Sequence, residues 1–495
     1  MEVHLSTTDL APVQIRSFDK LYIGGKWVEP SSDAIIESVS PITEEVIATV
    51  PAGKAADIDA AVAAARKAFD EGPWPRLSPK ERADYLVRIR EELAKRVPEL
   101  VDAFTAEIGA ANGASVAFTN NALKMFDDAS TLWERFEWVK ERSWDNGSGY
   151  ITYDPVGVVG VIIPWNGPVA TAALKMAPAL AAGCTVVLKP ASEAAAEIMM
   201  MAEAFEAAGL PEGVVSIVPA AREDAERLAA HPDVDKITFT GSTAVGKRLM
   251  ELASDRIARI TLELGGKSAA IIADDIPVED FVPGLAFAGI GHSGQVCAAI
   301  TRILVPRERQ DEIIEALKQV YESVKVGDPR EPDTALGPLS SARQRERVLN
   351  YIEIGKEEGA RVVTGGKAPE HLERGYYVEP TLFADVRPDM RIAQEEIFGP
   401  VVVVIPFDSI DEAVEIANGT VYGLSGAVYA KDHDLAVSIA NRVRTGQISI
   451  NGWDMCVTQP FGGFKQSGLG REGNVEGLSA FLEPKLVQGA TPPAK

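Results

Sequence analysis

The 495-residue chain is poor in the side chains that bind metals or form disulfides, with three cysteines and five histidines. A small, odd number of cysteines in a long chain does not suggest a disulfide framework, so we expect a reducing compartment, the cytoplasm. No group of His, Cys and Asp residues has the spacing of metal ligands. The sequence therefore predicts no catalytic metal.

Positive charge is also scarce, since 49 lysines and arginines stand against 72 aspartates and glutamates, a formal net charge of -23. Such a chain is repelled by nucleic acid and by anionic membranes, so we expect neither as a partner. Residues 1–17 lack a basic stretch followed by an apolar one, which argues against a secretory signal. The uncharged segment 155–174 contains too many prolines and glycines for a transmembrane helix.

The remaining composition is that of a large globular protein, with 46% hydrophobic and 24% charged residues. A chain of this length exceeds a single hydrophobic core, so more than one domain is expected. From residue 156 apolar strands alternate with helices, and a second such series runs from about residue 268 to residue 451. Continuous apolar strands separated by helices predict parallel sheets covered on both faces. The expected fold class is therefore α/β, with two parallel-sheet domains.

Cys297 follows a glycine-punctuated turn, Gly291 to Gly294, at the end of a largely apolar segment. A nucleophilic cysteine needs backbone donors nearby, because an ordinary thiol is mostly protonated at neutral pH. Taken alone, the position fits a buried, inert thiol better than a nucleophile.

Several polar residues follow the predicted strands, at the edge of a parallel sheet where ligands bind. They are Asn166, Lys189, Ser192, Gly241 and Ser242. The turn over residues 241–246 is predicted to open a helix at Lys247 and could offer its N–H groups to a phosphate. A tight strand-to-helix turn with no ligand explains that pattern equally well. The G-x-G-x-x-G fingerprint of dinucleotide-binding proteins is not present here.

Seven motifs follow one another in an order that resembles the aldehyde dehydrogenase superfamily, over essentially the whole chain from Tyr22 to about Lys485. They are Pro164-Trp165-Asn166, Lys189-Pro190, Phe239 to Gly246, Leu262 to Lys267, Gly294 to Cys297, Glu396 to Pro400, and Pro460 to Gly468. The resemblance implies a hydrolytic, NAD(P)-dependent enzyme that oxidises an aldehyde to a carboxylic acid. It also implies a Rossmann-like cofactor domain, a catalytic domain and a small β oligomerisation arm.

The resemblance assigns three catalytic residues. Cys297 is similar to the family nucleophile, which forms a thiohemiacetal and then a thioester. The side-chain amide of Asn166 and the backbone N–H of Cys297 would form the oxyanion hole. Glu263 would activate the water that hydrolyses the thioester, and would help to deprotonate Cys297.

The resemblance also implies a set of cofactor contacts. They are Ile163, Trp165, Lys189, Ser192, Gly241, Ser242, Glu263, Leu264, Glu396 and Phe398. Each has an ordinary alternative; Phe398, for example, could simply be a core residue. Many NAD-preferring relatives have a glutamate where this chain has Ser192, and losing that carboxylate would ease binding of a 2′-phosphate. We expect NAD as the cofactor and leave NADP open.

By the same resemblance, the substrate tunnel would be lined by Gly167, Thr171, Leu174, His292 and Cys456. Gly167 and Leu174 stand where relatives commonly have bulky aromatic residues. We therefore expect a wide, mainly apolar entrance that suits a bulky, apolar or aromatic aldehyde.

The resemblance divides the chain into domains. Residues 1–134 and 154–265 would form the dinucleotide-binding domain, and residues 266–463 the catalytic domain. Residues 135–153 and 464–495 would form the oligomerisation arm and the C-terminal segment. A homodimer or a homotetramer is expected, and the sequence does not choose between them.

Two other functions are compatible with the same fold. A CoA-acylating semialdehyde dehydrogenase would transfer the acyl group to coenzyme A and lacks the general base, so Glu263 argues against it. A non-catalytic structural or binding protein would not need Cys297, Glu263 and Asn166 together. Because fold alone does not establish activity, both alternatives need an assay.

Overall fold

The computed structural model of the chain describes residues 14–492. Residues 1–13 and 493–495 lie outside the described residues. The prediction that the N-terminus lacks a secretory signal, and the outer bounds of the expected first domain and C-terminal segment, fall on these two stretches.

Strands and helices alternate along most of the chain. The strands are β1 (Leu21–Ile23), β2 (Lys26–Val28), β3 (Ile35–Val39), β4 (Val46–Pro51), β5 (Val139–Trp144), β6 (Gly147–Pro155), β7 (Val158–Ile162), β8 (Thr185–Lys189), β9 (Val215–Ile217), β10 (Lys236–Thr240), β11 (Arg259–Glu263), β12 (Ser268–Ile272), β13 (Ile300–Pro306), β14 (Arg361–Thr364), β15 (Thr381–Ala384), β16 (Val401–Phe407), β17 (Gly426–Tyr429), β18 (Ser449–Ile450), β19 (Gly468–Leu469) and β20 (Leu482–Gln488). The helices are α1 (Ala55–Asp70), α2 (Pro79–Lys95), α3 (Val97–Ile108), α4 (Asn112–Ala129), α5 (Leu132–Arg135), α6 (Pro168–Ala182), α7 (Ala195–Ala207), α8 (Arg222–Ala230), α9 (Thr243–Ser254), α10 (Val278–Ile290), α11 (Gln310–Ser323), α12 (Ala342–Glu357), α13 (Arg391–Gln394), α14 (Ile410–Asn418), α15 (His433–Ala440) and α16 (Asn474–Ser479).

The first large sheet has the strand order β19-β11-β10-β7-β8-β9-β1-β2. Its five central strands run parallel to one another; they are β11, β10, β7, β8 and β9. The outer strands β1, β2 and β19 are antiparallel to their neighbours. Apolar side chains cover both faces of this sheet, which is why β7 is a continuous buried run rather than an alternating one.

The second large sheet has the order β14-β15-β16-β13-β12-β17-β18 and is parallel except at β14. Two further hydrophobic clusters pack on its two faces. The α/β fold class with two parallel-sheet units, expected from the sequence, is therefore confirmed.

A separate three-stranded antiparallel sheet has the order β20-β6-β5. In it Leu486 pairs with Ile151 and Val487 with Tyr150. Several large apolar side chains on this sheet are exposed, among them Trp144 (43%) and Leu486 (47%). Within residues 14–492, no helix is long and apolar enough to cross a membrane.

Two helix starts differ from the sequence prediction in a way that matters for ligand binding. Helix α9 begins at Thr243 rather than at Lys247, because the Ser242 hydroxyl accepts a hydrogen bond from Val245 N and caps the helix. Helix α6, which the sequence predicts over residues 170–182, begins at Pro168, directly after Gly167. Both helices therefore start close to the ends of strands β10 and β7.

Candidate active site

The loop that contains Cys297 is a short, tightly wound turn after α10. Residues Gly291–Gly294 form a single 3₁₀ turn in which His292, Ser293 and Gly294 all have positive φ angles. Cys297 follows it and is half-buried. Asn166, in the loop between β7 and α6, donates a hydrogen bond from Nδ2 to the carbonyl of Gln295 at 2.8 Å. The structure therefore brings together the amide of Asn166 and the Cys297 loop.

Two adjacent glycines explain why the motif over residues 262–267 lies against this loop. A Cβ on Gly266 would stand 2.3 Å from the backbone oxygen of Cys297, and a Cβ on Gly265 would stand 2.6 Å from Oε2 of Glu396. Neither approach leaves room for a side chain. The glycines thus let the Cys297 loop and Glu396 pack directly on the backbone after β11.

The Cys297 thiol is held in its protonated form in this arrangement. Burial raises its pKa to about 12, and the nearby carboxylates of Glu396 and Glu263 act in the same direction. The backbone N–H groups of Ala298 and of Cys297 itself oppose that rise. Because only the thiolate is strongly nucleophilic, attack requires a base to take the proton.

Glu263 ends strand β11 and is 2% exposed. Among the described residues neither of its carboxylate oxygens has a hydrogen-bond partner. Burial, and next the charge of Glu472, raise its pKa well above the ordinary value, while Lys175 and Arg471 act against that rise. A buried carboxyl with two unsatisfied oxygens and a raised pKa fits a general base whose partner is a water or a substrate atom.

The surroundings of Glu263 include an ion pair that the sequence analysis did not identify. Nζ of Lys175, on α6, lies 2.6 Å from Oε1 of Glu472, and both side chains are almost fully buried. The hydroxyl of Thr238 donates to the same oxygen at 3.0 Å. Lys175 could have been found from the sequence, because a single cation inside the apolar segment of residues 168–182 implies a buried acidic partner.

A second group of predicted residues lies on the side of Glu396. Its Oε1 accepts a hydrogen bond from Gly266 N at 3.0 Å, and burial raises its pKa. The rings of Trp165 and Phe398 meet edge to face, with centroids 5.5 Å apart. Gln344 donates from Nε2 to the carbonyl of Phe398 at 2.7 Å, so it fixes the left-handed backbone there. Gln344 was not singled out from the sequence.

The remaining predicted cofactor residues lie at the ends of β7, β8, β10 and β11. Backbone hydrogen bonds join Ile163 N to Lys189 O (3.2 Å) and Gly241 N to Glu263 O (3.0 Å). Leu264 is buried and packs with the cluster beneath α9. Burial lowers the pKa of Lys189, which is half-buried.

These residues suit a dinucleotide. Ser242 is exposed at the start of the twelve-residue helix α9, whose first N–H groups can meet a phosphate. Ser192 opens a short 3₁₀ turn after β8, and the next residue, Glu193, pairs with Arg343 at 3.4 Å. The strand-end positions and the capped helix α9 lie at the edge of a parallel sheet where ligands commonly bind.

Two of the residues predicted to line a substrate tunnel, Thr171 and Leu174, belong to α6. Of the fifteen residues of this helix, all within the described range, only Thr171 and Leu174 are not buried. They are three residues apart and therefore lie on the same face. Leu174 lines a narrow cleft with Met125, Ala129 and Val457. Because a helix rises about 1.5 Å per residue, Leu174 and this cleft lie roughly 10 Å along the helix axis from Gly167.

Two of the tunnel predictions need correction. Gly167 does not leave open space, because a Cβ there would lie 2.9 Å from the ring of Phe118, which comes from α4. His292 does not line the tunnel, because it is only 7% exposed and its ring packs between Phe104 and Phe118. The space that relatives fill with an aromatic residue at position 167 is thus occupied by Phe118, which packs against the same hydrophobic cluster as Cys297.

The other cysteine predicted near the site, Cys456, is exposed in the loop between β18 and β19. Cys184 is buried, and its thiol contacts the carbonyl of Phe481. Over residues 14–492 there is no cluster of three or more His, Cys, Asp or Glu side chains arranged to hold a metal ion.

Comparison with known proteins gives one consistent result. Residues 27–487 match the model of the aldehyde dehydrogenase family. Geranial dehydrogenase of Castellaniella defragrans is 42% identical over 474 residues, which cover 94% of this chain and 98% of that protein.

Solved structures give the same result. The Mycobacterium tuberculosis aldehyde dehydrogenase complexed with NAD+ has a TM-score of 0.94 and 43% identity, covering 97% of this chain and 100% of that one. A cysteine-to-alanine mutant of aldehyde dehydrogenase C from Pseudomonas syringae, complexed with NAD+ and octanal, has a TM-score of 0.92 and 40% identity, covering 98% of each chain.

Proposed function

Because the chain belongs to the aldehyde dehydrogenase family, we propose that it oxidises an aldehyde to the carboxylic acid with NAD+, using Cys297 as the nucleophile. The observation that carries the proposal is the convergence of Cys297, Asn166 and Glu263 on the strand ends around Gly266. Structures of relatives that contain NAD+ support the choice of cofactor.

In the first step, Sγ of Cys297 bonds to the aldehyde carbon and the carbonyl oxygen becomes an oxyanion. The thiol proton passes to the carboxylate of Glu263. One amide hydrogen of Asn166 is bonded to Gln295, which turns the other toward the oxyanion, where the Cys297 N–H is the second donor. Loss of one such donor typically lowers the rate by about 100- to 1,000-fold.

NAD+ supplies the hydride acceptor that converts the thiohemiacetal on Cys297 to a thioester. The chain's residues hold the dinucleotide in place. The N-terminus of α9 with Ser242 would hold the pyrophosphate, and Trp165 and Lys189 would line the adenosine ribose. Glu396 and Phe398 would line the ribose next to the nicotinamide, where the buried carboxylate would accept hydrogen bonds from the hydroxyls.

Before hydrolysis, the Glu263 carboxyl releases the thiol proton to solvent. In the last step its carboxylate takes a proton from water, whose oxygen attacks the thioester carbon and releases the carboxylic acid and the Cys297 thiolate. The proton must then leave a buried carboxyl. The ion pair of Lys175 and Glu472 lies beside it. The Glu472 carboxylate disfavours the ionised form of Glu263, and the Lys175 cation favours it. We infer that this pair sets the proton affinity of Glu263.

We infer that the preferred substrates are bulky, apolar aldehydes. Leu174 lies at a narrow cleft with mainly apolar walls, so this face of α6 favours an apolar group over a charged one. One relative is named geranial dehydrogenase, and the structure of another contains octanal.

The decisive experiment is the substitution Cys297→Ser, assayed by NADH absorbance with a panel of aldehydes. The variant should lose nearly all aldehyde oxidation while its NAD+ affinity, measured by calorimetry, stays close to that of the unsubstituted protein. Near-normal turnover would refute the proposal. Adding coenzyme A to the unsubstituted enzyme tests the acylating alternative. That alternative predicts an acyl-CoA product when coenzyme A is present, and no product when it is absent.

The preference for NAD over NADP is also a proposal. Ser192 adds no negative charge beside the 2′ position, but Glu193 follows it and is partly exposed, so a 2′-phosphate would meet a carboxylate. Catalytic efficiencies with the two cofactors test this. A higher value with NADP would overturn it, and Glu193→Gln should raise NADP use if this carboxylate is the cause.

We further propose a homodimer or homotetramer in the cytoplasm, joined through the sheet of β5, β6 and β20. Its exposed residues Trp144 and Leu486 would be covered by a partner subunit. Light scattering after size-exclusion chromatography measures the oligomeric state. A monomer at micromolar concentration would contradict the proposal, and Trp144→Glu should weaken association if the sheet is the interface.

A further inference from the structure

A cluster of three rings lies directly behind the catalytic loop. The centroid of the His292 ring is 5.5 Å from that of Phe104 and 5.4 Å from that of Phe118, and the two phenylalanine rings are 5.8 Å apart. Phe104 belongs to α3 and Phe118 to α4. The ring of His292 is therefore a wedge between two helices of the first unit and the loop that contains Cys297.

The backbone at this wedge is held in an uncommon conformation. His292 and Ser293 have φ angles of +52° and +53°, a region that residues other than glycine seldom occupy. Such a conformation persists only where the surroundings enforce it, and it is found most often at functional sites. Here the ring packing of His292 and the bond from Ser293 Oγ to Gly337 O (2.7 Å) supply that constraint.

The turn leads directly to the oxyanion hole. The carbonyl of His292 accepts hydrogen bonds from Gln295, from its backbone N–H at 3.1 Å and from its side chain at 3.4 Å. Gln295 is fully buried, and its own carbonyl accepts the bond from Asn166 Nδ2. The position of His292 thus determines where the acceptor for Asn166 stands.

The residue type fits this role better than it fits simple core packing. Within the described residues neither ring nitrogen of His292 makes a hydrogen bond of normal geometry. The backbone of Asn166 lies near the ring and partly offsets the effect of burial, but the side chain still carries a desolvation cost that leucine would avoid. Histidine combines a flat ring with greater tolerance of a left-handed backbone than other bulky residues have. Burial lowers its pKa to about 4, so the ring is a neutral wedge at neutral pH.

We propose that His292 is a positioning residue for the oxyanion hole, whose ring holds the turn that orients the amide of Asn166 through Gln295. The proposal rests on the proposed function. It predicts that removing the ring lowers kcat by more than it raises the KM for NAD+, because the hydrogen bond that the ring holds in place, from Asn166 to Gln295, serves the oxyanion rather than the cofactor.

The test compares two substitutions at the same position. His292→Asn keeps a residue that tolerates the left-handed backbone but removes the ring, and it should lower kcat by about 10- to 100-fold, a part of the effect of losing an oxyanion donor. His292→Phe keeps the ring and should retain at least about a third of kcat. His371→Asn, at an exposed histidine far along the chain, is the control. Equal losses in the two His292 variants, or near-normal kcat in His292→Asn, would overturn the proposal.

A double substitution separates positioning from general damage. In an Asn166→Ala background the donor that His292 positions is gone, so adding His292→Asn should lower kcat by less than about threefold. A further 10-fold or larger loss would mean that the two residues act independently and would refute the inference. If Asn166→Ala alone has little effect on kcat, the proposed oxyanion hole itself fails, which is a different outcome.

Discussion

Substitution of the buried lysine, Lys175→Met, tests how the active site controls the proton on Glu263. The change leaves Glu472 buried without its cation, and breaking a buried ion pair on one side costs about 3–5 kcal/mol. Unfolding entropy is about 2.1 cal/mol/K per residue, roughly 1 kcal/mol/K for this chain. The unfolding temperature should therefore fall by about 3–5 °C if the chain unfolds as one unit.

The same substitution should change the pH dependence of deacylation. Lys175 lowers the pKa of Glu263 and Glu472 raises it, so removing the lysine alone moves this pKa upward. Each unit of increase lowers the ionised fraction about tenfold at a pH below the pKa. The pH profile of kcat should be measured from about pH 6 to about pH 10. The part of this profile in which kcat rises with pH, its acidic limb, should shift to higher pH by about one unit. The fast initial release of NADH, which precedes hydrolysis, should then exceed the steady rate.

The double substitution Lys175→Met with Glu472→Gln is the matched control. It removes the charge of both partners, so most of the lost stability should return and the acidic limb should move back toward that of the unsubstituted enzyme. An acidic limb that stays in place in Lys175→Met would refute the idea that this pair controls Glu263. A stability loss with no change in the pH profile would assign the pair a purely structural role.

Three further predictions concern other parts of the site. Gly266→Ala should lower kcat at least about 100-fold, because its Cβ would displace the Cys297 carbonyl, whereas Gly284→Ala on α10, with open space around it, should leave kcat unchanged. Phe118→Ala should raise KM for aromatic aldehydes more than for acetaldehyde, and an equal change would contradict its role as a tunnel wall. Burial raises the pKa of Glu107 to about 7, above its unfolded value of about 4.3. Because the folded state binds the extra proton, stability should decrease by about 3 kcal/mol as the pH rises from about 4.5 to 7; thermal unfolding of Glu107→Gln should lack that slope.

Much of the fold followed from patterns that the chain displays locally. The apolar runs of β7, β8, β10 and β16 predicted buried parallel strands, and the polar residues after them predicted a ligand edge. The strand predictions are confirmed, because burial on both faces of a sheet requires each strand separately to be apolar. The ligand edge remains a prediction.

The parts that could not be predicted depend on contacts between distant segments. Nothing near Gly167 in the sequence shows that Phe118, from another helix, fills the space beside it. His292 was placed in the tunnel by its distance along the chain from Cys297, but three successive left-handed residues turn its ring into the core. The unusual turn is stabilised by rings from α3 and α4, so it has no local signature.

The pairing of Lys175 with Glu472 also has a consequence for biosynthesis. The two residues are 297 positions apart, and strand β19, at the edge of the first sheet, is made almost as late. At about 5–20 residues per second, roughly 15–60 s pass between synthesis of the lysine and of its partner. During that interval the second unit is made in full while the first lacks an edge strand and has an uncompensated cation in its central helix. The nascent chain therefore cannot complete the surroundings of Glu263, the proposed base, until its last few dozen residues have left the ribosome.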